Sequence, residues 1–181
     1  MLPVVLVELL CLGILSIPGL SEGTTNRACQ QYVPLVVKAV GDHPDVDPSL
    51  MLSVMFVESS YQRGVVSSAG ACGLMQIIPE YTARFRRSRK PYTCEQLKTP
   101  RLGITLGVRI YSGLLRMTGG DENRALCYYN AGPRGCEKIY KRKRKTKGAT
   151  RRATKRAIDN SKYVKKVRRI QKIILNTPLK K

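Results

Sequence analysis

The chain has 181 residues, 33 Lys+Arg against 12 Asp+Glu, and a formal net charge of +21. That length holds one domain, and 43% hydrophobic with 25% charged residues excludes wholesale disorder. A single histidine, His43, leaves no material for a multi-histidine metal site or a histidine relay, so no metal and no cofactor are expected.

Residues 2–20, LPVVLVELLCLGILSIPGL, are apolar apart from Glu8. The stretch 9–17 has the length of the apolar core of an export signal. Pro18 and Gly19 break it, and Ser21 supplies a small residue for cleavage. Residues 1–21 are expected to be a signal peptide cleaved near Ser21, sending the chain to a periplasmic, cell-wall or extracellular space. No Lys or Arg precedes the apolar run, which leaves a buried N-terminal helix or a retained membrane anchor as the other readings. Leu10, before Cys11, is not the small residue of a lipoprotein signal. Cleavage removes Cys11 and leaves Cys29, Cys72, Cys94, Cys127 and Cys136. Five cysteines suit an oxidising compartment, with two bridges and one thiol left over. Cys127 and Cys136 flank a turn and could pair, but the sequence does not choose among the two-bridge connectivities that five cysteines allow, and the spacings match no zinc pattern.

The middle of the chain reads as helix and turn, with at most a small hairpin around 63–73. Val33, Val36, Val37 and Val40 form an apolar stripe that Gly41 and Pro44 close. Asp47-Pro48 pairs a capping side chain with proline at the first helical position, and the helix runs through SLMLSVMFVES. Thr99-Pro100 repeats the device ahead of a stripe through Leu102, Leu106, Ile110 and Leu114, which ends at Gly119-Gly120. Asp121 caps a short helix through Tyr129, and Gly132-Pro133 ends it. No internal repeat is visible.

The charge is unevenly placed. Residues 22–137 carry 14 Lys/Arg against 10 acids, a balance of +4, whereas 138–181 carry 19 against one, a balance of +18. The expected division is a core over 22–137, a basic loop over 138–161 and a basic helix over 162–181. Tyr163, Val164, Val167, Ile170 and Ile174 give that helix an apolar face, which packs back on the core. Such a tail points to a polyanion partner.

Glu58 is the residue with chemical content. Met51, Val54, Met55 and Glu58 fall at i, i+3, i+4 and i+7, on one face near the end of a helix. An apolar surrounding and the negative end of the helix dipole both raise a carboxyl pKa. A carboxylic acid still protonated near neutral pH serves as a general acid toward a glycosidic oxygen. Spacing alone favours a glutamate that turns out to solvent or caps the next turn at the helix exit.

Three blocks resemble the soluble lytic transglycosylase (SLT) family, in the family's order: Glu58-Ser59 at a helix end, Gly73-Leu74-Met75-Gln76-Ile77 with Pro79, and Tyr129-Asn130-Ala131-Gly132. VDPSLMLSVMFVES, LGVRIYSGLL and KYVKKV are similar to the family's helices and its closing Tyr-Val segment, so the likeness spans 46–167. The resemblance implies an all-α, lysozyme-like fold. It further implies cleavage of the MurNAc–GlcNAc β-1,4 bond of peptidoglycan by one carboxyl, Glu58, with a 1,6-anhydromuramic product. Ser67, Met75, Gln76, Tyr129 and Asn130 are the implied substrate-binding residues, Met75 through apolar contact with sugar. Ser68, Gly103, Cys127 and Tyr128 depart from the family's usual residues. Peptidoglycan strands are the expected partner of the groove. An anionic wall polymer or another polyanion is that of 138–172, and the chain is expected to be a monomer. A lysozyme-type hydrolase on the same fold and a non-catalytic polyanion binder are the alternatives. Few aromatics punctuate the tail, which argues against nucleic acid as its partner.

Overall fold

The computed structural model describes residues 2–144, 158–159 and 161–176. Its elements are α1 (Leu2–Leu15), α2 (Glu22–Arg27), a π turn (Ala28–Tyr32) leading into α3 (Val33–Gly41), and α4 (Pro48–Ser59). A 3-10 turn (Pro79–Phe85), α5 (Cys94–Leu97), α6 (Pro100–Met117), α7 (Glu122–Arg144) and α8 (Lys162–Leu175) complete the order. The fold is all-α, as expected. In place of a hairpin, single bridges join Val66 to Cys72 and Cys72 to Ile77.

Helix α4 is the centre. The Asp47 carboxylate caps it by accepting from the Ser49 N–H at 2.7 Å, and Pro48 opens its first turn. Leu50, Met51, Leu52, Ser53, Val54 and Met55 are all buried, so the helix is covered on every side and not along the single face its spacing predicts. Helices α3 and α8 pack on it. Ser60 ends it in the left-handed conformation (φ 50°). The Ser59 hydroxyl reaches the carbonyls of Met55 and Leu74 (3.0 and 2.9 Å), tying the helix end to the next loop.

That loop is braced by the Cys72–Cys94 disulfide. Gly73 takes φ +73°, and a β-carbon at Gly73 or at Gly103 would lie 2.6 Å from the Leu97 carbonyl oxygen. Loop, α5 and α6 therefore meet backbone to backbone. This accounts for Gly103, one of the departures from the family pattern.

Helix α7 kinks at Gly132 (φ 67°, ψ 165°) before Pro133, then continues to Arg144. The expected helix end at Gly132-Pro133 is thus a bend, and residues 138–144 of the expected basic loop belong to the helix. Proline, lacking an N–H, fits the first position of the renewed helix. The Cys127–Cys136 disulfide spans the kink. Beside it the Tyr128 hydroxyl donates to Glu137 Oε1 at 2.8 Å, and Arg124 reaches the same oxygen at 2.7 Å. Cys127 and Tyr128, two further departures, are the staples of this bend.

Helix α8 buries Val164, Val167, Ile170 and Ile174, the stripe read from the sequence. Residues 145–157 and 160 of the basic loop and 177–181 of the predicted helix lie outside the described residues. Helix α1 packs on α8 and α3, burying Leu10 and Ile14. Its Gly13 leaves no room for a β-carbon against the Ile174 backbone. The N-terminal apolar run thus takes the form of a partly buried helix, while Ser21, the expected cleavage point, is exposed as the cap of α2. Cys11 and Cys29 are free thiols.

Candidate active site

Glu58 occupies the last turn of α4, where the central helix emerges from the core. Its Oε1 accepts a hydrogen bond from the Tyr163 hydroxyl at 2.6 Å. Burial pushes the carboxyl above the usual carboxylate range, and the Tyr163 hydrogen bond opposes the shift without cancelling it. Burial and the neighbouring Glu58 charge push the phenols of Tyr163 and Tyr129 well above their usual range, so both are neutral hydrogen-bond donors. The Tyr129 hydroxyl donates to the Met75 carbonyl at 2.8 Å, and its ring lies 6.4 Å from that of Tyr111.

Tyr163 is the functional neighbour that residue-level reasoning missed. It was legible as the first apolar position of the α8 stripe and as the tyrosine of the Tyr-Val segment in the resemblance, without a role at the site. Its placement depends on how α8 docks, and polar contacts fix that docking. Arg168 binds Glu122 and Asn123 (both 2.8 Å), while the Gln171 amide reaches Ser49 Oγ at 3.2 Å. Asn123 in turn donates to Asp159 at 2.7 Å. The basic C-terminal segment therefore contributes a side chain to the site.

The predicted binding residues separate. Gln76 and Asn130 line a groove of about 680 Å³, together with Tyr81, Ile110, Met117 and Tyr129 among others. Glu58 does not line this groove, but Tyr129 does and feels the Glu58 charge. Gln76, at φ 46°, donates from its amide to the carbonyls of Val65 (3.2 Å) and Gly73 (3.0 Å), so it also holds the loop. Ser67 accepts from the Ala71 N–H at 3.1 Å, the contact of a turn serine. Met75 differs from expectation. It is 1% exposed and packs against Gly107, so it offers no apolar surface to a sugar. Leu74 and Met75 turn into the core, whereas Gln76, with its left-handed backbone, and the largely buried Ile77 reach the groove. What Met75 gives the site is its carbonyl. No acid lines the groove among the described residues, and they contain no cluster of His, Cys, Asp or Glu fit to hold a metal.

The family model of the transglycosylase SLT domain matches residues 36–152. The chain belongs to the SLT family. Its similar proteins include the membrane-bound lytic murein transglycosylase C of Histophilus somni, 41% identical over 38% of this chain and 18% of that protein. The protein of the same name in Actinobacillus pleuropneumoniae is 36% identical over 52% of this chain and 26% of its own length. The endo-type membrane-bound lytic murein transglycosylase A of Klebsiella pneumoniae is 35% identical over 52% and 48%. The SLT chain thus spans less than half of each of these relatives. An inactive mutant of the lytic transglycosylase Slt of Pseudomonas aeruginosa shares its fold. That crystal structure has TM-score 0.64 and 23% identity, covering 86% of this chain and 28% of that one. No helix among the described residues is long and apolar enough to cross a membrane.

Proposed function

We propose that this SLT-family chain is a peptidoglycan lytic transglycosylase that cuts the MurNAc–GlcNAc β-1,4 bond with Glu58 as both acid and base. The observation that carries this reading is the desolvated Glu58 carboxyl paired with Tyr163 at 2.6 Å. With Oε1 engaged by Tyr163, the acid's proton sits on Oε2. Glu58 gives that proton to the leaving glycosidic oxygen as the C1–O bond breaks. The resulting carboxylate takes the proton of the muramic C6 hydroxyl while its oxygen closes on C1, forming the 1,6-anhydro ring and restoring the acid. The Tyr163 hydrogen bond stabilises the carboxylate between the two transfers. Water is not consumed, so no second carboxylate is required. A hydrolase of the common kind places one opposite the acid. Gln76, Tyr129 and Asn130 bind the glycan, with Ser67 in the turn beside them.

Export to a periplasmic, cell-wall or extracellular space, with cleavage near Ser21, and a monomeric state accompany this reading. Two disulfides and relatives named as membrane-bound murein enzymes support export. Mass spectrometry of digested sacculi tests the chemistry. Anhydromuropeptides from the wild type, reduced by about 10²–10⁴-fold in Glu58→Gln, are expected. Reducing-end muramic products would show a hydrolase instead, and unchanged turnover in Glu58→Gln would remove Glu58 from the mechanism.

A further inference from the structure

The two charged side chains that line the groove, Arg84 and Arg134, are both cationic and both exposed. Arg84 comes from the 3-10 turn, with its guanidinium 4.9 Å from the centroid of the Phe85 ring. The Arg109 guanidinium lies 5.3 Å from that centroid and adds to the positive corner. Arg134 follows the Gly132-Pro133 bend, so the Cys127–Cys136 staple sets where it enters the groove. Among the described residues neither Arg84 nor Arg134 makes an ion pair. Glu137, three residues from Arg134, is held by Arg124 and Tyr128. Glu80, four residues before Arg84, does not line the groove. The segment 84–90, RFRRSRK, adds further cations and no acid. The near-balanced charge of the core thus hides a local excess of cations along the groove.

We propose that Arg84 and Arg134 form a carboxylate subsite that reads the peptide stems carried by the glycan. The inference rests on the proposed peptidoglycan activity. A glycan with its lactyl groups amide-linked to stems has no charge of its own, so stem carboxylates are the anions that enter with it. A guanidinium matches a carboxylate through paired N–H donors, which a lysine ammonium does not reproduce. Because the arginines line a groove that Glu58 does not line, they bind ground and transition states alike. Their loss raises KM and leaves kcat near its original value.

The test uses the full chain on uncrosslinked peptidoglycan strands, native or with stem carboxyls amidated by carbodiimide and ammonium. Wild type is compared with Arg84→Gln/Arg134→Gln and Arg84→Lys/Arg134→Lys, with thermal melting to verify folding. Amidation is expected to lower wild-type kcat/KM, and to lower that of the Gln double variant three- to tenfold less, as suits exposed ion pairs. The effect falls on KM, and the Lys variant recovers only part. The basic tail contributes equally to all three proteins, so the ratio of amidation penalties isolates the arginines. Equal penalties in wild type and Gln variant, with anhydro products formed, would overturn the subsite alone. A wild type inactive on both substrates would overturn the proposed activity itself.

Discussion

At the Glu58 carboxyl two effects oppose each other. Burial favours the neutral acid, while the Tyr163 hydroxyl favours the anion. Removing that hydroxyl leaves burial unopposed, so Tyr163→Phe moves the Glu58 pKa further up. Activity that needs the protonated acid falls as pH rises through this pKa. The alkaline limb of the kcat–pH profile is therefore expected to move to higher pH in Tyr163→Phe. The maximum should drop about 10–100-fold, the scale of a hydrogen bond to a charged group. A limb that stays in place would show that Tyr163 does not act on the carboxyl. The same shift has a stability consequence. A carboxyl whose folded-state pKa is raised binds more protons folded than unfolded, so stability falls as pH rises from the unfolded to the folded value. Above that window the Glu58 anion costs stability, and Glu58→Gln removes the cost. Thermal melting should give Glu58→Gln the higher Tm at pH 7, with the gap closing by about pH 4, below the ordinary glutamate pKa.

Helix α6 shows what packing asks of single positions. A β-carbon at Gly103 meets the Leu97 carbonyl at 2.6 Å, whereas one at Gly113 meets nothing within 4 Å. Gly103→Ala should cost about 1–3 kcal/mol by overpacking against backbone. Gly113→Ala should stabilise by about 0.5–1 kcal/mol, because alanine loses less backbone entropy in a helix interior. Melting of the two variants should move Tm in opposite directions. The contrast marks where sequence reasoning stops. The Asp47-Pro48 cap and the stripes of α6 and α8 were legible because each depends on neighbours a few residues away, and Gly132-Pro133 marked the place of a break though not that the helix resumes after it. The all-round burial of α4 was not, since it depends on α3 and α8 arriving from elsewhere. Met75 was misplaced because motif position says nothing of side-chain direction, which here follows from the left-handed backbone at Gln76. The partnership of Glu58 with Tyr163 bridges 105 residues and exists only once α8 has docked.

Across the whole molecule the +18 segment divides by role. Its helical end is structural: α8 covers α4, carries Tyr163 to Glu58, and is locked by Arg168 and Gln171. Cutting the chain before α8 would therefore destroy site and core together and say nothing about charge. The stretch 141–147, KRKRKTK, carries six cations and no acid, whereas the contacts of Arg168 and Gln171 named above go to Glu122, Asn123 and Ser49. Replacing those six cations with glutamine separates the roles. If they hold the enzyme on an anionic wall, wild-type binding to sacculi should weaken steeply with salt, since the screening length falls from about 10 Å at 0.1 M to about 3 Å at 1 M. The neutralised protein should bind several-fold more weakly at 0.1 M and respond far less to added salt. Its turnover of short soluble strands, where no wall needs to be held, should stay within about twofold of wild type. Co-sedimentation with sacculi across a salt series, run beside product analysis on soluble strands, measures both. Unchanged sedimentation would deny the tether, and lost turnover with an unaltered melting temperature would place these cations at the substrate instead.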